Sequence, residues 1–185
     1  MLVKQVQLEQ LQLAAAEADR ALELMGRAIR MAGYTKAKGM HQQNTRTVKK
    51  EVLEIQQGTG LNRSDTLLIK HEISDGLDFD CIGNTLTADR SKNGLAHQGF
   101  FVERQAGVAK GVRVNGGSLM CQSLDRHGRL QNTTLMNGVH QLQIEEIFSS
   151  AEKASAQKLF KATIRMDLGK STAEFSRVYA SRNLH

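Results

Sequence analysis

An α+β fold is the architecture this sequence predicts: one long N-terminal α-helix packed on an antiparallel β-sheet. Three observations predict it. Apolar residues recur at alternating steps of four and three through residues 11–32, the repeat then shortens to about two, and 16 glycines with no proline break the later part into short runs. The chain shows no strand–helix–strand alternation and no internal repeat, so neither a doubly wound sheet nor a solenoid is expected.

The helix is read over residues 2–32. Leu11, Ala15, Ala18, Leu22, Met25, Ile29 and Ala32 draw one apolar stripe, while Glu9, Gln12, Glu17, Asp19, Arg20, Glu23, Arg27 and Arg30 fill much of the other side. Arg27 and Arg30 suit the negative end of the helix dipole, and Gly33 can supply a left-handed cap. The stripe also has the seven-residue period of a coiled coil. Its alanines, however, favour packing against a sheet or a close neighbouring helix.

After Gly33 the pattern changes. Residues 35–47 are polar and read as a loop. Strands are expected at residues 52–56, 66–73, 99–104, 118–122, 133–136, 141–147, 161–168 and 174–181, and residues 149–158 as a surface connection, partly helical. Residues 1–34 are thus the helix and residues 35–185 a β-rich globular part, together one domain.

Composition limits the function classes. Of 185 residues, 40% are hydrophobic and 24% charged, as in an ordinary globular protein, but aromatics are 4% and tryptophan is absent. The core must therefore come from Leu, Ile, Val, Met and the six Phe. The net charge of +6 is scattered without a basic block and reads as a solvated surface. Neither a signal peptide nor a transmembrane run is visible. The chain is then either cytosolic or a soluble form from which an export segment has been removed.

Cys81 and Cys121 form no CxxC and have no histidine at a metal-ligand spacing. They are two unrelated buried thiols or one disulfide. A bridge would contribute about 4 kcal/mol and would require an oxidising compartment.

Catalytic patterns are missing. Gly58 and Gly60 lack the third glycine of a dinucleotide fingerprint, and the Gly-Lys-Ser at 169–171 lacks the upstream glycine of a phosphate loop, so both read as turns. Asp75, Asp78 and Asp80 could gather round a cation, but their spacing is not that of a calcium loop, and a solvated loop is the better reading. The six histidines are dispersed, without HExxH spacing, and Ser118 does not lie in a Gly-x-Ser-x-Gly turn. Cys121 with His140 downstream is a weaker reading than a structural bridge to Cys81. No catalytic residue, metal or cofactor is nominated, and the chain is read as a non-enzyme.

Several segments, in order, resemble one family. DRALELMGRAIRMAGY at 19–34 resembles the helix end of PilW-type minor pilins of type IV pili. SDTLLI at 64–69 resembles their first sheet segment, FDCIGN at 79–84 the loop with the first cysteine, and GSLMCQ at 117–122 the strand with the second. LMNGV at 135–139 with Leu142 and Ile144, then ATIRMDL at 162–168 and residues 175–183, resemble the closing strands.

The resemblance implies a pilin-like fold and a disulfide between Cys81 and Cys121. It also implies an inner-membrane precursor with a periplasmic domain, processed by prepilin peptidase and carried into the extracellular pilus. There it would prime assembly with other minor pilins and the major pilin, and with a tip adhesin in some members, supporting twitching motility and adhesion. The family's leader and apolar first helix half are missing here, so Met1 is read as the start of a truncated soluble form. The membrane would be reached through that segment.

Two alternatives share the plan: a J-type pseudopilin of type II secretion, and a pilus-associated DNA receptor, for which nucleic acid would be the partner. A cytosolic coiled-coil protein is a third. Exposed loops commonly carry contacts, which nominates Thr35, Lys36, Lys38, Asp75, Asp78 and Asp80 as candidate interface residues.

Overall fold

A computed structural model of the chain describes residues 2–36, 52–109, 111–147 and 158–184. One helix, α1 (Leu2–Met31), precedes seven strands: β1 (Leu53–Gln56), β2 (Thr66–Glu72), β3 (Leu95–Glu103), β4 (Gly117–Leu124), β5 (Leu130–Ile147), β6 (Leu159–Asp167) and β7 (Thr172–Ala180). Each strand pairs antiparallel with its sequence neighbour, giving the order β1-β2-β3-β4-β5-β6-β7.

The expected pilin-like, helix-on-sheet α+β fold is overturned. Among the described residues the chain is mostly β, a seven-stranded antiparallel half-barrel with one N-terminal α-helix. The cause lies in β5. The sequence predicts separate strands at residues 133–136 and 141–147, with Gly138 between them. Instead they belong to one 18-residue strand.

The pairing of β5 skips Leu135 and Gly138 opposite β4 and His140 opposite β6, so extra residues bend the strand three times. Each such bulge adds bend and twist. Gly138 has φ 79°, which glycine adopts without cost. Gly116 lies so close that a Cβ there would stand 2.6 Å from the Gly138 carbonyl carbon.

Curling brings the start of β2 to the lower half of β5. The Asp65 amide donates to the Leu142 carbonyl at 2.8 Å. The buried Ser64 hydroxyl donates to the Leu61 carbonyl and accepts from the Leu142 amide at 3.1 Å. The Asp65 carboxylate accepts from the Gly58 amide at 2.9 Å and the Ile144 amide at 2.8 Å. Ser64 and Asp65 thus satisfy backbone groups that the bent strand would otherwise leave orphaned.

The concave side holds the core. Ala18, Leu22, Met25, Ile29 and Ala32 of α1 are buried with Leu67, Ile69, Phe100, Leu119, Leu142, Ile144, Phe160 and Ile164 of the sheet. Ala14, Ala21 and Ala28 widen the buried face of α1 and let the helix approach the strands closely. Its packing is mainly against β7 and β6.

Three contacts bind the helix to the last part of the chain. The Tyr179 hydroxyl donates to the Leu22 carbonyl at 2.6 Å, with its ring against Gly26. Arg177 reaches Asp19 at 3.1 Å and Glu23 at 3.6 Å. The Asn183 amide caps the Arg30 carbonyl at 3.1 Å, beside Gly33 with φ 74°.

Burial pushes the Tyr179 phenol up to about 12, because the ionised form would lose its hydration. An unfolded tyrosine titrates near its ordinary value of about 10. The folded group holds its proton longer, so its contribution to stability is full below pH about 10 and is lost as pH rises towards 12. Urea unfolding from pH 8 to 12 should therefore show an alkaline loss of stability that is reduced in Tyr179→Phe. An identical loss in that variant would assign the effect to other groups.

Candidate functional site

Between β2 and β3 the chain forms a hairpin-like excursion over residues 74–87. It is built round two aspartates. The Asp80 carboxylate accepts from the Ile82 amide at 3.0 Å, the Asn84 amide at 2.8 Å and the Asn84 side-chain amide at 3.1 Å. The Asp80 amide in turn donates to the Asn84 carbonyl, and Phe79 bridges Thr85. Asp78 accepts from the Ser74 amide at 2.8 Å. Short acceptor side chains hold this tight turn, and Gly83 at φ 87° completes it.

A disulfide joins Cys81 at the turn to Cys121 in β4, with Cα atoms 6.0 Å apart. The bridge presses the excursion against the concave side, beside α1. Two cavities flank it. One, of about 530 Å³, lies between the C-terminal half of α1 and the excursion, lined by Leu24, Met31, Tyr34, Leu77 and Phe79 with Arg27, Arg30 and Arg182. The other, of about 440 Å³, lies between α1, Phe79–Gly83 and the start of β5.

Of the nominated interface residues, Thr35 and Lys36 are exposed and Lys38 lies outside the described residues. Lys36 pairs with Asp75 at 2.6 Å, and its amide donates to the Glu72 carboxylate at 2.8 Å. The two nominated loops therefore meet. The hydrogen bond to Asp75 raises the Lys36 pKa. Asp78 is half-buried. Asp80, at 3% exposure, is a buried anchor of its turn and is not accessible to a partner.

The remaining residues weighed for chemistry take structural positions. Gly58 and Gly169 sit in turns at φ 65° and 87°. The Ser118 hydroxyl donates to Asn137 at 2.6 Å, and Cys121 is consumed by the disulfide. Buried His71 is held between the Glu72 carbonyl at 2.9 Å and Gln98 at 3.1 Å. Among the described residues, no three metal-ligating side chains converge, and no helix is long and apolar enough to cross a membrane.

The first part of α1 forms a second candidate surface. Every side chain described from Lys4 to Leu13 is exposed, including Val6, Leu8, Leu11 and Leu13. Leu8 and Leu11 continue the core stripe beyond the sheet, whereas Val6 and Leu13 face the opposite side.

Sequence reasoning missed the cleft, the Arg177 pairs and the seating of Tyr179 on Gly26. Gly26 did carry a signal, as the lone glycine inside a helical pattern. Compared with family models, curated proteins and solved structures, the chain matches none.

Proposed function

We propose that this chain is a non-catalytic assembly subunit of an extracytoplasmic filament, of the minor-pilin kind that its segments resemble. The observation that carries the reading is the exposed arm of α1. Four large apolar side chains, Val6, Leu8, Leu11 and Leu13, lie along roughly 11 Å of helix and are exposed by 39–64%. Such surface is expected to be covered by neighbouring subunits.

The disulfide supports the same reading, because it joins the two segments that resemble the family's cysteine-bearing loop and strand and suits an oxidising compartment. The reading rests on the arm, the bridge and the ordered segments, and not on the fold class. Filament partners would be other minor pilins and the major pilin, met through the helical arm.

The test is deletion of the gene, with complementation by the parent or by a Val6→Ser, Leu8→Ser, Leu11→Ser, Leu13→Ser variant. Loss of surface pili and twitching, restored by the parent and not by the variant, is the expected result. Normal piliation after deletion would overturn the reading.

A further inference from the structure

The cleft between α1 and the 74–87 excursion has an asymmetric rim. Its loop side carries Leu77 and Phe79, exposed by 77% and 50%, at the mouth of the larger cavity. Two neighbouring large apolar side chains left uncovered beside a cavity mark a place where something apolar docks.

The helix side is cationic, and its charge is poorly met from within the chain. One carboxylate, Glu23, is shared by Arg27 at 3.8 Å, Arg30 at 3.5 Å and Arg177 at 3.6 Å. Arg182, on the same rim, has no ion pair among the described residues. The acids facing the cleft from the loop are already engaged, Asp78 by the Ser74 amide and Asp80 by Ile82 and Asn84. These bonds leave both carboxylates charged, so the lining carries three guanidiniums against two carboxylates; with Asp80 buried and Asp78 half-buried, the exposed charge at the mouth is mainly that of Arg27 and Arg182. Glu17, which is acidic, faces the second cavity.

Apolar and cationic features lie on opposite sides of one opening, which fits an acidic peptide better than a flat protein surface. We propose that the cleft receives a short peptide segment of a partner protein. Its large apolar side chain enters beside Leu24 and Phe79, and its flanking carboxylates meet Arg27, Arg30 and Arg182. The guanidinium fork favours carboxylates, and a cavity of about 530 Å³ has room for one bulky side chain with part of its backbone. The proposal is independent of the filament reading, because binding is measured on the purified chain and piliation in cells.

The probe is a fluorescein-labelled hexapeptide, Glu-Glu-Leu-Phe-Glu-Glu, titrated with the oxidised full chain and followed by anisotropy. Two controls replace its Glu residues by Lys or its Leu-Phe pair by Ser-Ser. The acidic apolar peptide should bind at least about tenfold more tightly than either control, and less tightly as salt is raised.

Arg27→Glu with Arg182→Glu, and separately Leu77→Ser with Phe79→Ser, should each weaken binding about tenfold. Arg113→Glu, outside the cleft, should not. All replaced side chains are at the surface, and unchanged melting temperatures verify the fold. Equal binding of the three peptides, no saturable binding, or parental affinity in both cleft variants would each overturn the proposal.

Discussion

Replacing Cys81 and Cys121 together by alanine is expected to lower the free energy of unfolding by about 4 kcal/mol. The bridge closes a loop with a sequence separation of 40, and the unfolded chain regains that freedom once the bridge is lost. Both cysteines are buried, so a small loss of packing adds to the effect. Urea denaturation of the oxidised parent, the reduced parent and the double variant measures it. The reduced parent and the double variant should unfold at similar urea concentrations, well below the oxidised chain.

The loss should also be local. The excursion's hydrogen bonds from Asp80 and Asp78 are internal to it, so without the bridge it keeps few ties to the sheet beyond Lys36–Asp75 and buried Leu86. Amides of residues 74–87 should exchange faster, while those of β5 and β6 keep their relative protection. Equal stability of oxidised and reduced protein would remove the bridge as a main support of the fold.

The second large effect concerns Gly26. A Cβ built there would stand 2.3 Å from the Tyr179 ring, closer than any real contact, and the ring is held by its bond to the Leu22 carbonyl. Gly26→Val should destabilise by about 3 kcal/mol through overpacking. Gly26→Ala should also destabilise, although alanine is the better helix former by about 1 kcal/mol. In a Tyr179→Ala background the sign should reverse, with Gly26→Ala stabilising by roughly 0.5–1 kcal/mol. Thermal or urea unfolding of the four proteins in this cycle is the test. The same loss in both backgrounds would show that the ring is not what requires glycine.

These two sites also show what was readable in the sequence. The buried positions Ala18, Leu22, Met25, Ile29 and Ala32 were legible because a helix displays its packed face at a fixed period. Leu11 has the same period and yet is 39% exposed, since periodicity says which face is apolar but not where the partner sheet stops. Strands β2, β4, β6 and β7 lie within a few residues of their expected places. Gly138 misled, because a glycine at positive φ serves a bulge as well as a turn, and that difference reversed the reading of the sheet's shape.

The candidate site was less legible. The acids at 75, 78 and 80 looked alike in sequence, but one pairs with a lysine 39 positions away, and another lies buried under its own turn. The cleft depends on how far the disulfide pulls one excursion towards the helix, which no local pattern encodes. Arg177 reaching Asp19 and Glu23 is likewise a contact between the two ends of the chain.

That joining of first and last elements sets a timetable for synthesis. α1 is made before the strands of this sheet, yet the strands it packs on most closely, β6 and β7, are the last of the sheet to follow. Arg177 and Tyr179, which fasten it, lie in β7, and Asn183 follows that strand. Neighbouring strands can pair as they emerge, because every pairing in the sheet is between successive strands. The helix cannot complete its packing until β6 and β7 have been made, and until then its apolar stripe remains open to any holdase that meets the nascent chain.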